Sequence, residues 1–472
     1  MFYTWLLLLS TFIATSGREY LKQGRKLYWQ TDDPNQGPNN GHPEQIHLSY
    51  LNDTAVIVTW LTFDDVGDSF VIYHQEGGES KFKRLANVTH FGGGLLKIDR
   101  YVHRVVMTNL TPGSYYVYYV GSEHGWSHEF RFRALKERPE GGHRYGIYGD
   151  LGVLNARALG RVEDDVRNEE LDMIFHVGDF AYDLHTLDGR IGDKFFHQIE
   201  PVTAKVPYMV CPGNHEYIGN FSHYMHRFTM PNTEHNLFYS FDHGKVHFVS
   251  ITTEIYYNMY LLTDTKQNFI DDVQRGQLQT QWNWLVADLK KANANRHNVP
   301  WIIVMGHRPM YCSTKSIIAE CRSKTVRTRV GINGEFQLEK LLYENGVDME
   351  IFGHEHSYER MYPLYNYVVY DYVKNPYYDP PAPVHIITGS AGCIEGGKEF
   401  TKTAPKFTAY RSKDYGFSRL HVINATHLTW EQVRAHDGVV EDSFTLIKPK
   451  HGKFDYNQLM KSGTSIVNDQ LG

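Results

Sequence analysis

Five short segments of this chain pair glycine with residue types that bind metal ions. They are Gly149-Asp150-Leu151-Gly152, Gly178-Asp179-Phe180-Ala181-Tyr182, Gly213-Asn214-His215-Glu216, Val304-Met305-Gly306-His307 and Gly353-His354-Glu355-His356. An Asp just past the end of a core strand is held rigidly against a cleft, so Asp179 is placed to bridge two ions. Tyr182, three residues on, can turn its phenol to the same point. A phenolate is a hard anionic ligand and suits Fe(III) better than Zn(II). Glycines beside such residues let the backbone approach an ion closely. Taken singly each segment is weak: Asp179 reads equally well as a cap on a strand, with Tyr182 as packing. Five in this order, each at a strand end, are hard to assign to coincidence.

The elements that would position them follow from the apolar runs. Leu171 to Val177 reads as a buried strand that stops at Gly178. His143–Tyr148, Val206–Val210, Val246–Ile251, Trp301–Met305, Met349–Phe352 and Val384–Thr388 read as further strands. Helices are expected over Asn155–Glu170, Lys194–Thr203, Leu278–Ala292 and Phe336–Leu342, so strands and helices alternate as in an α/β domain. Ligands at the carboxyl ends of neighbouring strands converge on one crevice, the usual place for a site in such sheets. Upstream, about Glu44 to Leu135 is all-β. Its short strands include Ala55–Trp60, Tyr101–Met107, Ser114–Val120 and Glu129–Ala134, a spacing that suggests a sandwich. Trp60 and the segment Leu110 to Tyr116 resemble the fibronectin type III pattern, with packing as their role.

The 472 residues suffice for two or three domains with a large core. A net charge of −6 argues against a general electrostatic grip on nucleic acid or an anionic membrane. With 26 histidines in the chain, a lone His means little. The start has the look of a cleaved secretory signal over residues 1–17: Trp5-Leu6-Leu7-Leu8-Leu9, then small residues to Gly17, though without a basic leader. No other apolar stretch is long enough to span a bilayer. Five sequons, at Asn52, Asn87, Asn109, Asn220 and Asn424, support export and glycosylation, with Pro112 working against the third. Cys312 and Cys321 can close a short loop by a disulfide; Cys211 and Cys393 can pair or stay buried and free. The expected layout is a signal at 1–17, an arm at 18–43, the sandwich at 44–138, a catalytic domain at 139–448 and a polar tail at 449–472.

Across about residues 44–445 the chain resembles the purple acid phosphatases of the metallophosphoesterase superfamily, in particular their animal, plant-like branch. Tyr182 is the most specific feature of that resemblance. It implies a multi-domain α+β fold, with a fibronectin type III-like β-sandwich followed by an α/β metallophosphoesterase sandwich flanked by helices. It also implies a ligand set. Asp150, Tyr182 and His356 would bind Fe(III); Asn214, His307 and His354 would bind a divalent ion, Zn, Fe or Mn; Asp179 would bridge them. The split agrees with ligand hardness. The charge of the ions exceeds that of the three anionic ligands, so the site would attract a phosphate dianion. Fe(III) would hold a hydroxide below neutral pH, which implies an acidic optimum.

The expected activity is hydrolysis of phosphomonoesters by in-line attack at an Fe(III)–M(II) centre, in a secreted or lysosomal protein whose oligomeric state, a homodimer included, is left open. His215 is the candidate general acid or oxyanion stabiliser, or else a ring that orients Asn214. Glu216, Tyr358 and Glu359 are expected to support the loops, and Arg308 to form a structural salt bridge. Plant relatives carry two adjacent histidines a little beyond the His307 position, where this chain has Arg308 to Ser316 with none. Two other readings stand beside the first: a phosphodiesterase on nucleotides or phospholipid headgroups using the same metals, and a catalytically silent extracellular adhesion module.

Overall fold

The computed structural model of the protein describes residues 40–257, 271–315, 320–371 and 373–465. The expected signal, the arm up to residue 39, Ser316 and the end of the tail from 466 lie outside them.

The N-terminal part is a sandwich of two antiparallel sheets. One runs Glu44–Asn52, Ala55–Thr62, Ile98–Met107 and Asn87–Gly93 in spatial order. The other runs Lys81–Leu85, Phe70–Gln75, Tyr115–Ser122 and Gly125–Trp126, with Phe130–Arg133 also pairing Tyr115–Ser122. Alternation puts Val56, Val58 and Trp60 in the core with Tyr73, Tyr118 and Phe132. Yet every residue of Ala55–Thr62 is buried. Its second face meets the rest of the chain: the Thr59 hydroxyl donates to the Thr229 hydroxyl at 3.1 Å.

The second part holds two mixed sheets around one continuous core. The six-stranded sheet runs Tyr208–Cys211, Met173–Val177, His143–Tyr148, Gly416–Val422, His427–Arg434 and Val440–Ile447, its first three strands parallel. The seven-stranded sheet runs Tyr239–His243, Val246–Ser250, Trp301–Met305, Met349–Phe352, Val384–Thr388, Tyr358–Met361 and Thr408–Ser412. Its four strands from Val246–Ser250 to Val384–Thr388 are parallel. The sheets pack face to face through aromatic side chains: Phe248 lies 4.6 Å from Phe175 and 5.0 Å from Tyr145 between ring centroids.

Two helices start later than sequence patterning suggests, for local reasons. The first spans Leu159–Arg167 because Asn155 takes a left-handed φ of 67° and spends its amide on the Cys393 carbonyl. The helix Leu338–Glu344 cannot begin at Phe336, whose φ is 57°. The long helix Asp272–Ala294 starts earlier than expected because Asp271 caps it, accepting from the Gln274 N–H at 2.7 Å.

The helix Arg190–Thr203 joins the two parts. Glu200 accepts from the Ile46 N–H at 2.9 Å, and the Tyr118 hydroxyl donates to the Ala204 carbonyl at 2.8 Å. On its first turn Asp193 is buried between Arg100 and Arg227, at 2.6 and 2.8 Å. Among the described residues no helix is long and apolar enough to cross a membrane.

Candidate metal centre

Strand polarity brings the five segments together. Asp150, Asp179 and Asn214 follow three adjacent parallel strands of the six-stranded sheet. His307 follows one strand of the other sheet; His354 and His356 follow its parallel neighbour. Parallel strands end on the same side, so all these residues emerge at one rim of the sandwich. The glycines are there because there is no room for a side chain. A Cβ on Gly178, where φ is 87°, would lie 2.4 Å from His307 Nδ1, and one on Gly213 would lie 2.2 Å from Asp179 Oδ1. Asp150, Asp179, Tyr182 and His354 themselves hold positive φ values of 61°, 53°, 51° and 68°. Non-glycine residues persist in that region only where their surroundings impose it, and such residues gather at functional sites.

The side chains form two touching groups. In the first, the Tyr182 hydroxyl lies 3.1 Å from Asp150 Oδ1 and 3.0 Å from His356 Nε2, with His356 Nε2 3.4 Å from Asp150 Oδ1. In the second, His307 Nε2 lies 3.1 Å from Asp179 Oδ2, 3.2 Å from Asn214 Oδ1 and 3.3 Å from His354 Nδ1. The His354 N–H donates to Asp150 Oδ2 at 2.9 Å and ties the groups together. The outward nitrogens of two imidazoles are held by carbonyls: His307 Nδ1 by Val177 at 2.8 Å, His356 Nδ1 by Gly396 at 2.9 Å. That leaves both Nε2 atoms facing inward, the arrangement by which proteins orient metal-ligating histidines.

The surroundings brace this cluster. The buried Glu216 carboxylate accepts the N–H groups of Asp179, Phe180 and Gly213 at 2.9, 3.0 and 2.9 Å, so it locks two of the loops together. Tyr358 donates to Asp442 at 2.8 Å, and Glu359 accepts the Ser313 N–H at 2.8 Å; both support the fold. Arg308 makes a buried salt bridge to Glu254 at 2.7 Å and places its Nη1 3.1 Å from His354 Nε2. Cys312 and Cys321 form a disulfide, and Cys211 and Cys393 are buried free thiols.

His215 stands at the edge of the cluster. Its N–H donates to Asp179 Oδ1 at 2.9 Å, its Nδ1 bonds the Asp183 carboxylate, and its ring lies 4.3 Å from that of Tyr182. Its Nε2 is 3.9 Å from Asp179 Oδ2 and 3.7 Å from Glu395 Oε1. Sequence reasoning missed three of these neighbours. Asp183 carries no signal beyond directly following Tyr182. Cys393, whose Sγ lies 3.3 Å from His356 Nδ1, and Glu395 come from a distant loop that no motif marks.

Charge at the cluster is balanced by protons when no cation is present. Burial opposes a charge on His307, but Asp179 outweighs it and raises the ring to about 10. Burial likewise opposes a charge on His356, and Asp150 and Cys393 raise it to about 11. Asp179, which burial alone would push up, is held well below the usual carboxylate range by His307 and His215. Burial and the Arg308 guanidinium push His354 well below the ordinary imidazole value, so it is neutral and has a lone pair to give. Burial, Asp150 and Asp179 push the Tyr182 phenol far up, so only a strongly polarising cation would draw off its proton. Burial works against a charged His215, yet Asp179 and Asp183 raise it to about 9. Carboxylates that recruit protons onto neighbouring imidazoles, in a buried set of O and N donors, fit multivalent cations.

Fold and site together are those of the metallophosphoesterases. Residues 143–358 match the family model described as calcineurin-like phosphoesterase, residues 43–134 that of the purple acid phosphatase N-terminal domain, and residues 382–443 that of iron/zinc purple acid phosphatase-like protein C. Acid phosphatase type 7 of Mus musculus is 42% identical over 420 residues, covering 88% of this chain and 93% of its own. The Homo sapiens protein of the same name is 42% identical over 425 residues, covering 89% and 94%. A purple acid phosphatase from yellow lupin (Lupinus luteus) seeds shares the fold, with a TM-score of 0.71 at 23% identity, over 91% of this chain and 78% of its own. The chain belongs to the purple acid phosphatase family. That family implies a binuclear metal centre.

Proposed function

We propose that the protein is an exported acid phosphatase that hydrolyses phosphomonoesters at a binuclear Fe(III)–M(II) centre. The observation that carries this reading is the pair of touching donor groups, with Asp150, Tyr182 and His356 in one and Asp179, Asn214, His307 and His354 in the other. The first set contains two hard oxygen ligands and suits Fe(III); the second is mainly neutral and suits Zn, Fe or Mn as a divalent ion, with Asp179 shared. Two cations bound there would supply Lewis acidity for in-line displacement at phosphorus.

The chain's own contribution is positioning and proton movement. Asp183 on Nδ1 sets the His215 ring so that Nε2 points past Asp179 toward the cleft. His215 then delivers its Nε2 proton to the leaving oxygen, in the absence of the adjacent histidines found in plant relatives. Glu216 keeps the Asp179 and Asn214 loops in register during turnover.

Export through a cleaved signal at residues 1–17 is supported by the Cys312–Cys321 disulfide, a bond typical of oxidising compartments. It is supported too by the exposure of all five sequon asparagines, Asn52, Asn87, Asn109, Asn220 and Asn424. The division into a sandwich at 44–138 and a catalytic unit at 139–448 is part of the same proposal. The test compares an aryl phosphate monoester with the matching diester at about pH 5, for the wild type and Asp179→Asn. Preference for the monoester, with a loss of more than about 100-fold in the variant, is expected. Preference for the diester, or an active variant, overturns the reading.

A further inference from the structure

Large aliphatic side chains are exposed on the loops that carry the site. Leu154 lies four residues past Asp150, Leu187 five past Tyr182, and Ile218 three past His215; each is exposed. Ile394, 63% exposed, sits between Cys393, which touches His356, and Glu395, which reaches toward His215. The loops bearing Leu154 and Ile394 are tied to each other: the Cys393 N–H donates to the Leu151 carbonyl and the Asn155 amide donates to the Cys393 carbonyl, both at 2.8 Å. The sandwich domain adds to the same rim. The tip of its hairpin exposes Leu95 almost fully, and the N–H of Leu96 donates to Asp188, next to Leu187.

A scattered exposed Leu or Ile needs no explanation, but three that stand three to five residues past Asp150, Tyr182 and His215, with a fourth between Cys393 and Glu395, do. None of them is explained by packing, since each remains exposed. The charged groups beside His215, Asp183 and Glu395, are carboxylates and repel a second negative charge on a substrate.

Resting on the phosphomonoesterase reading above, we infer that the substrate is a monoester with an uncharged apolar leaving group, alkyl or aryl, laid against this rim. The phosphate end would enter the metal cleft, and the hydrocarbon would cover Leu154, Leu187, Ile218 and Ile394, with the hairpin tip of the sandwich domain meeting longer chains. Two domains would then share one substrate.

The test is calorimetric binding of n-alkylphosphonates, methyl to hexyl, to the full-length metal-loaded protein. Each methylene that reaches the rim should tighten Kd about two- to fourfold and make the heat-capacity change of binding more negative. In the double variant Leu187→Ser with Ile394→Ser, the ratio of hexyl to methyl affinity should collapse; both residues are exposed, so the fold tolerates the change. Methylphosphonate binding with no gain along the series overturns this inference alone. An unchanged ratio in the double variant does the same. Failure of every phosphonate to bind overturns the phosphomonoesterase reading and this inference together.

Discussion

His215 shows how much one ring depends on its neighbours. Asp179 fixes its backbone, Asp183 takes one ring nitrogen, and Tyr182 packs against its face. If it protonates the leaving oxygen, His215→Ala should lower kcat by about 10²- to 10⁴-fold on alkyl phosphates, and much less on nitrophenyl phosphate, whose leaving group needs no proton. Equal losses on both substrates would show that the ring only orients Asn214. A second histidine sets a pH dependence far from the cleft. His247 is buried between Asp242, 2.6 Å from Nδ1, and Asp288, 3.0 Å from Nε2. Burial would lower its pKa, but the two carboxylates raise it to about 9. A raised folded pKa stabilises the protein fully below the ordinary imidazole value of 6.5 and less as pH climbs through 9. His247→Gln should therefore cost up to about 3 kcal/mol at pH 6 and little above pH 9.5, read from denaturant unfolding at the two pH values. A cost that does not change with pH would place the effect in packing instead.

Between elements, the helix Arg190–Thr203 is the joint on which both domains bear, and Asp193 is its buried charge. Removing that charge leaves Arg100 and Arg227 unpaired in the interior. Asp193→Asn should destabilise the folded chain by about 3–5 kcal/mol, measured by urea unfolding, whereas breaking the exposed pair Lys413–Glu399 should cost under about 1 kcal/mol. Elements of this kind differ in how legible they were. The strands Met173–Val177, Trp301–Met305 and Met349–Phe352, which lead into ligand-type residues, are short runs closed by glycine and buried on every residue, and they stand out in the sequence. The C-terminal strands Thr408–Ser412, Gly416–Val422, His427–Arg434 and Val440–Ile447 are not legible in this way, because they mix polar with apolar residues and buried with half-buried ones. The same contrast holds within the site. The seven donor residues carry types and spacing that mark them. Asp183, Cys393 and Glu395 act through contacts that only the folded chain creates, and Glu216 reveals its bracing role only once its three backbone partners are seen.

At the scale of the whole molecule, two sheets of one core and a separate sandwich hold a rim of charged, strained residues in place. Four of the donors sit in left-handed backbone, and the cluster is neutralised by protons where cations fit. A bound metal would hold these donors together, so metal and fold should stabilise one another. The central claim is that seven side chains hold two unlike cations, one of them ferric and bound to Tyr182. The measurement that tests it most directly is the metal content of the purified exported protein, taken with its visible absorption spectrum, for the wild type and Tyr182→Phe. Two metal ions per chain, at least one of them iron, with a violet absorption band lost in Tyr182→Phe, is the predicted result. A chain that binds a single ion or none, or a band that survives in the variant, would contradict it.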